Sequence, residues 1–349
     1  MSAKVYFSNM KCNINNSPLN KIKKLINKCG ITNIYGKKDI TAIKLHFGEY
    51  GNTAFLRPIY LRPIIETLNR IGAKPFLTDT NTLYVGMRTN SVDHLHNANL
   101  NGFGYSTLQA PIIIADGLKG ELFTNLPVPN GAIYKEAKIA AAIASADKLF
   151  VISHFKGHEM TGFGGAMGCA SRAGKNEMHS SVRPTVNPHL CTACGRCKIS
   201  CDSNAITISK YANINQSCVG CAMCISACPE HAISVDFNVS CDTLQQKIVE
   251  YAVAVHNHFK EVIYVNVLTS IVPACDCHGG NDAPLVHDIG FMSSTDPVAI
   301  DKASYDMVLK TAGKDVFQEK WQYLNPQDSF NHAQKIGFGS LDYTLEIVK

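Results

Sequence analysis

Short apolar runs recur along the first half of the chain, at residues 40–45, 74–77, 111–115 and 148–152. Helical patterns of apolar positions lie between some of them, at 59–71 and 134–145. Strands alternating with helices predict βαβ units, and hence an α/β fold with a mostly parallel sheet and helices on both faces. The same pattern resumes late in the chain. Residues 242–259 read as a helix with Asp242 near its N-cap, and 262–268 as a buried strand. Asp296 followed by Pro297 marks another helix start, with Asp296 as N-cap and Pro297 at the first helical position, running to about Lys310.

Between these halves the pattern is set by cysteine. Cys191, Cys194, Cys197 and Cys201 form a C-x2-C-x2-C-x3-C run, and Cys218, Cys221, Cys224 and Cys228 repeat it 27 residues later. Three thiolates at this spacing wrap three corners of one iron–sulfur cube, and in two-cluster ferredoxins the fourth comes from the other run. The expected ligand sets are therefore Cys191, Cys194, Cys197 and Cys228 for one 4Fe–4S cluster, and Cys218, Cys221, Cys224 and Cys201 for the second. Four-cysteine zinc sites, usually two C-x2-C pairs across a longer loop, fit this spacing poorly. The repeat continues beyond the thiols, so that Ile206 and Ile233 fall at equivalent places, where an apolar side chain shields a cluster from water. The first run ends Cys201-Asp202 and the second Cys228-Pro229, so the two clusters should differ. We expect residues 183–240 to form a small inserted α+β module of bacterial ferredoxin type. It would interrupt one discontinuous α/β domain made of residues 1–182 and 241–349.

Composition narrows the class. Hydrophobic residues make up 46% of the chain and charged ones 17%, the balance of a globular protein without low-complexity tracts. The formal charge of +5 is diffuse, which argues against nucleic-acid binding, and no apolar run approaches a membrane span. Eight of the 14 cysteines belong to the two runs, and clusters need reduced thiolates. With no signal-peptide layout at the start, a reducing cytoplasm is expected.

A second signal sits after the strands. The four early apolar runs stop at His46, at Asp79, at Asp116 and at Ser153-His154-Phe-Lys156-Gly-His158. In an open parallel sheet the carboxyl ends line one edge, where ligands bind. His46, Asp79, Asp116, His154 and His158 are therefore candidates for a divalent-metal or small-molecule site beside the glycine-rich residues 162–165. The competing reading is that they cap turns and helices. Cys275-Asp-Cys277-His278 offers two thiols and an imidazole to a soft metal, or is a polar loop with incidental cysteines; Cys169 is equally open.

Segments 43–53, 76–90, 113–118, 153–166, 168–175 and 294–301, with the two cysteine runs, resemble the "Fe-S center protein" branch of the domain-of-unknown-function 362 family. That resemblance implies an α/β domain carrying a ferredoxin insert, and it implies no particular reaction. Family members usually have a longer stretch with a Lys-Asn pair where Ala166-Met-Gly168-Cys169 stands here. Residues 157–166 are also faintly similar to the turn of nickel-pincer lactate racemases, whose lysine is missing from this segment.

These readings point to an iron–sulfur redox protein relaying electrons between two 4Fe–4S clusters and a ligand site in the α/β domain, an oxidoreductase if the ligand reacts. The alternatives are a non-catalytic electron carrier or cluster-based sensor, and a metal-dependent enzyme with structural clusters. The segment 183–240 carries four basic and three acidic residues. A free carrier steering by a strong field of one sign is disfavoured by that balance. Electron exchange with its own host domain or with a fixed redox partner protein is expected instead.

Overall fold

Side-chain alternation explains why the apolar runs form a central sheet. Ala42 and Ile43, Phe76 and Leu77, and Val151 and Ile152 are adjacent and buried, yet fall into two different hydrophobic clusters. Successive residues of a strand point to opposite faces, so these strands need cover on both sides. The computed structural model describes residues 2–14, 16–82, 86–174, 183–201, 203–218, 224, 227–230, 232–234 and 237–349.

In chain order the main elements are β1 (Ala3–Asn9), α1 (Pro18–Lys28), β2 (Ile40–Lys44), α2 (Arg62–Ile71), β3 (Lys74–Asp79), α3 (Ser91–Leu100), β4 (Ile112–Ile114) and β5 (Lys148–His154). There follow α4 (Ala166–Ser171), α5 (Phe237–Phe259), β6 (Ile263–Leu268), β7 (Gly290–Ser294), α6 (Pro297–Ala312), α7 (Asp328–Ile336) and β8 (Tyr343–Ile347). The eight strands form one sheet in the order β8-β1-β7-β6-β5-β2-β3-β4. Strand β7 runs antiparallel to β1 and β6, and every other pairing is parallel. Helices α1 and α2 close one face with Ile22, Leu25, Ile64 and Leu68. On the other face Val249 and Ala252 of α5, Ile300 of α6 and Phe330 of α7 complete the larger cluster. The α/β, mostly parallel architecture with helices on both faces is the expected one.

Local expectations fare unevenly. Asp296 caps α6, accepting from Val298 N and Ala299 N at 2.9 Å each. The helix expected at 134–145 is instead a hairpin strand, Glu136–Ala140, paired antiparallel with Phe123–Pro127 and followed by a single helical turn. Ala137 and Ile139 are buried between the less buried Glu136 and Lys138, a period of two that tertiary cover selects over helix propensity. The helix expected from Asp242 begins five residues earlier, at Phe237, so Asp242 is inside it and not its cap.

Between the halves, Thr185–Val186 pairs antiparallel with Ile233–Ser234, and Ile206–Ile208 with Ala212–Ile214. A third apolar cluster belongs to this stretch alone. It buries Ile206 and Ile233 beside Cys197 and Cys224. Among the described residues no helix is long and apolar enough to cross a membrane.

One backbone contact sets the approach of the strand Lys156–His158 to the loop after β6. Gly157 donates to Val272 O at 2.8 Å, and a Cβ on Gly157 would lie 2.0 Å from Pro273 O. Gly157→Ala should cost about 1–3 kcal/mol in urea unfolding, because backbone must move to admit the methyl. A variant as stable as the parent would show that this approach is slack.

Candidate functional site

Strands β2, β3, β4, β5 and β6 are parallel, so His46, Asp79, Asp116, His154 and the loop beginning at Thr269 all leave the sheet at one edge. A cavity of about 810 Å³, its open mouth included, lies there. His46, His154 and His158 line it; Asp79 and Asp116 are not among the lining residues.

Each of the five has a defined environment. The Nδ1 of His154 lies 2.9 Å from Asp276 Oδ1, and its Nε2 lies 2.8 Å from Thr269 O. Both ring nitrogens face protein oxygens, so the ring is engaged on both sides. The His154 side chain works here as a clamp on Asp276, which is fully buried. Burial alone would raise the Asp276 carboxyl, but His154 and Lys156 hold it below the ordinary range. Asp79, also fully buried, pairs with Lys44 Nζ at 2.9 Å. Burial opposes its charge, and Lys44 with Arg172 more than offsets this. Asp116 accepts from Asn81 N and Nδ2 at 3.0–3.1 Å, a turn-fixing role of the capping kind, and burial raises its carboxyl to about 6.

His46 and His158 are different. Burial, then Arg88 and Lys156, push the His46 ring well below its ordinary range, and burial lowers His158 as well. Met160 N donates to His158 Nδ1 at 3.1 Å, so the neutral ring carries its proton on Nε2. The His46 ring is met at Nδ1 by Gly48 N (2.9 Å) and at Nε2 by Arg88 Nη1 (2.8 Å). A neutral imidazole has one lone pair for these two donors, so one contact gives way when anything else binds. Arg88 keeps a second partner, Glu49 Oε2, at 3.0 Å.

The cavity also gathers residues that the strand-end argument left out. Cys275 and Cys277 line it and are joined as a disulfide with Cα atoms 5.1 Å apart. A ring nitrogen of His46 and the two sulfurs lie within 4.8 Å of one another, a possible metal site. The third donor is thus His46 and not the neighbouring His278, whose Nε2 is 2.9 Å from Glu159 Oε1. The cysteine pair follows a strand recognisable in the sequence, and applying the strand-end rule to residues 262–268 would have found it. Lys156 is buried and lines the cavity, with neither an ion pair nor a hydrogen bond among the described residues. Its Nζ lies where a Cβ on Gly164 would come within 2.7 Å, so the glycine turn makes room for an amine supplied by another strand. Arg172 and Cys169 complete the wall, with Lys44 Nζ 3.9 Å from Cys169 Sγ. At the back, Asp301 accepts from Ala166 N (2.6 Å), Met167 N (2.8 Å) and Asn266 Nδ2 (2.8 Å), occupying the start of α4.

A second, smaller cavity is lined by Cys191, Cys194, Cys197 and Cys228. Ala205 N donates to Cys201 Sγ and Ala232 N to Cys228 Sγ, both at 3.3 Å, the same contact in each half of the repeat. Ala212 N donates to Cys191 Sγ at 3.4 Å. Of the second expected ligand set, Cys221 lies outside the described residues.

The family described as "Domain of unknown function (DUF362)" matches residues 41–306. Among solved structures, the chain is similar to the lactate racemase apoprotein from Thermoanaerobacterium thermosaccharolyticum, at 10% identity and a TM-score of 0.42, over 89% of this chain and 56% of that one. It is also similar to a Northeast Structural Genomics Consortium target protein from Thermotoga maritima, at 12% identity and a TM-score of 0.33, over 84% and 59% of the two chains. The chain thus covers little more than half the length of these neighbours. No curated protein matches it.

Two predictions follow from the buried groups. His154→Ala strands the Asp276 carboxylate without its partner, which should cost about 3 kcal/mol in urea unfolding. Adding Asp276→Ala should restore part of that loss, and purely additive losses would dismiss the clamp. Burial raises the Asp301 carboxyl to about 6, so the folded state keeps a proton that the unfolded chain has released. Stability from this group therefore falls as pH rises through about 6. Between pH 5 and 7 the parent should lose about 1 kcal/mol relative to Asp301→Asn. Parallel pH profiles for the two proteins would remove Asp301 as the cause.

Proposed function

We propose that this chain, which belongs to the domain-of-unknown-function 362 family, is an iron–sulfur redox protein. In this reading residues 183–240 form a ferredoxin-type insert that relays electrons to or from a small anionic ligand in the strand-end cavity. The observation that carries the reading is the composition of the smaller cavity. Cys191, Cys194 and Cys197 of the first run meet Cys228 of the second there. Two separate zinc knuckles need no such exchange of the fourth thiol, whereas a pair of four-iron cubes does. The donor set therefore fits 4Fe–4S clusters, held by Cys191, Cys194, Cys197 and Cys228 and by Cys218, Cys221, Cys224 and Cys201. When bound, these clusters supply one-electron couples.

The chain's own residues would tune and position that chemistry. Amide donors from Ala205, Ala212 and Ala232 to three of the sulfurs stabilise thiolate charge. Ile206 and Ile233, both buried, keep water away. Arg172 and Gln245 line the main cavity and lie 11 residues before and five residues after the proposed insert. Inside, the amine of Lys156, which makes no ion pair or hydrogen bond among the described residues, would with Arg172 attract a carboxylate or phosphate group. The Nε2 proton of His158 is available to such a ligand.

Anaerobically purified protein should contain about eight irons and eight sulfides per chain. Cys194→Ser and Cys228→Ser should each abolish the same spectroscopic species and leave the other. Zinc in place of iron, or loss of different species in the two variants, would overturn the crossed-ligand reading.

A further inference from the structure

We infer that His46, Cys275 and Cys277 form a redox-gated metal site, separate from the eight cysteines of the insert. Reduced, the two thiolates and the imidazole bind a thiophilic divalent cation of the zinc class. Oxidised, the same sulfurs make the disulfide and release it.

The distances suit this exchange. Ligand atoms around tetrahedral zinc stand roughly 3.5–4 Å apart, given Zn–S near 2.3 Å and Zn–N near 2.0 Å. The three donor atoms already lie within 4.8 Å of one another, so opening the S–S bond separates the sulfurs by a small side-chain movement. Three protein ligands leave a fourth position open, the arrangement of reactive zinc sites. All three residues line the main cavity, so a ligand held by Lys156 can reach that position.

The loops carrying the donors are fixed before any metal arrives. Asp276, between the two cysteines, is clamped through its carboxylate by His154 and through its carbonyl by Glu49 N at 2.9 Å. Cys275 N donates to Glu159 Oε2 at 3.2 Å. The loop after His46 is laced to the cysteine loop, with Asn52 Nδ2 donating to His278 O at 3.1 Å and Thr53 N to Asn281 Oδ1 at 2.8 Å. Gly51 and Gly279 approach so closely that a Cβ on Gly51 would meet Gly279 O at 2.4 Å. Binding therefore orders little additional chain. The disulfide, by contrast, closes a loop of only three residues, too short to add much by restricting the unfolded state. A bond of small structural value on a cavity wall is better placed for chemistry.

The balance is simple. A peroxide takes two electrons from the two thiolates, the S–S bond forms, the O–O bond breaks and with two protons yields water together with a second water or an alcohol, and the cation leaves. A dithiol reductant reverses this by thiol–disulfide exchange.

The test uses the full chain as purified, with zinc and iron counted in the same samples. Dithiothreitol-reduced protein incubated with Zn²⁺ and desalted should carry about one zinc per chain more than the Cys275→Ser/Cys277→Ser variant. Peroxide should release that zinc, and renewed reduction should restore it. His46→Ala should bind zinc at least about tenfold more weakly, since even an outer-shell partner is worth that much. Equal zinc in parent and double variant, or zinc indifferent to peroxide, overturns the site. If the double variant does not fold, the peroxide cycle on the parent decides, read against Cys277→Ser. Iron reports on the insert alone, so loss of the cluster reading and loss of this one appear in different columns of the measurement.

Discussion

A sheet buried on both faces leaves polar chemistry nowhere to go but the strand ends. Most side chains of β2, β3, β5 and β6 are buried, and polar ones among them have buried partners, as Lys44 has Asp79 and Asn266 has Asp301. An unpaired charge there would be desolvated without return. At the carboxyl edge the backbone turns away, and the residues released are His46, Asp79, Asp116, His154 and the loop holding Asp276. The cavity is a consequence of that constraint, with the glycine turn at 162–165 and helix α4 forming its opposite wall.

Charge at this edge is largely cancelled in pairs. Lys44 meets Asp79, Arg88 meets Glu49, and His154 meets Asp276, each at 2.9–3.0 Å. Buried pairs of this kind add little net stability compared with apolar replacements, but losing one partner is expensive, so they hold geometry in place. Lys156 stands out against that background as a buried amine that makes neither an ion pair nor a hydrogen bond among the described residues. The same pairs orient the donors around it. His154 holds the loop after β6 through both Asp276 and Thr269 O, and Arg88 reaches His46 while braced on Glu49.

The chain keeps two populations of thiols in contrasting surroundings. Those of the repeat cluster with Ile206 and Ile233 and accept backbone N–H groups, an environment that favours a fixed anionic ligand set. Cys275 and Cys277 are joined to each other and line the main cavity beside His46.

Sequence alone determined whatever depends on local spacing. The double cysteine run, the Asp296 cap and the parallel strands at 40–45, 74–77 and 148–152 were legible because thiol ligation, capping and two-sided burial each impose a short-range pattern. It failed at 134–145, where a mixed Ala and Lys composition suits a helix and only the partner strand Phe123–Pro127 makes the alternation count. It named five strand-end residues but could not separate clamp from ligand, since the role of His154 depends on Asp276 arriving from another loop. The grouping of His46 with Cys275 and Cys277 was decided by tertiary structure alone. β5 lies between β2 and β6, and this strand order brings the two loops to the same stretch of edge. Contacts between segments so distant in sequence leave no trace in periodicity or spacing, because they are selected by packing of the whole sheet.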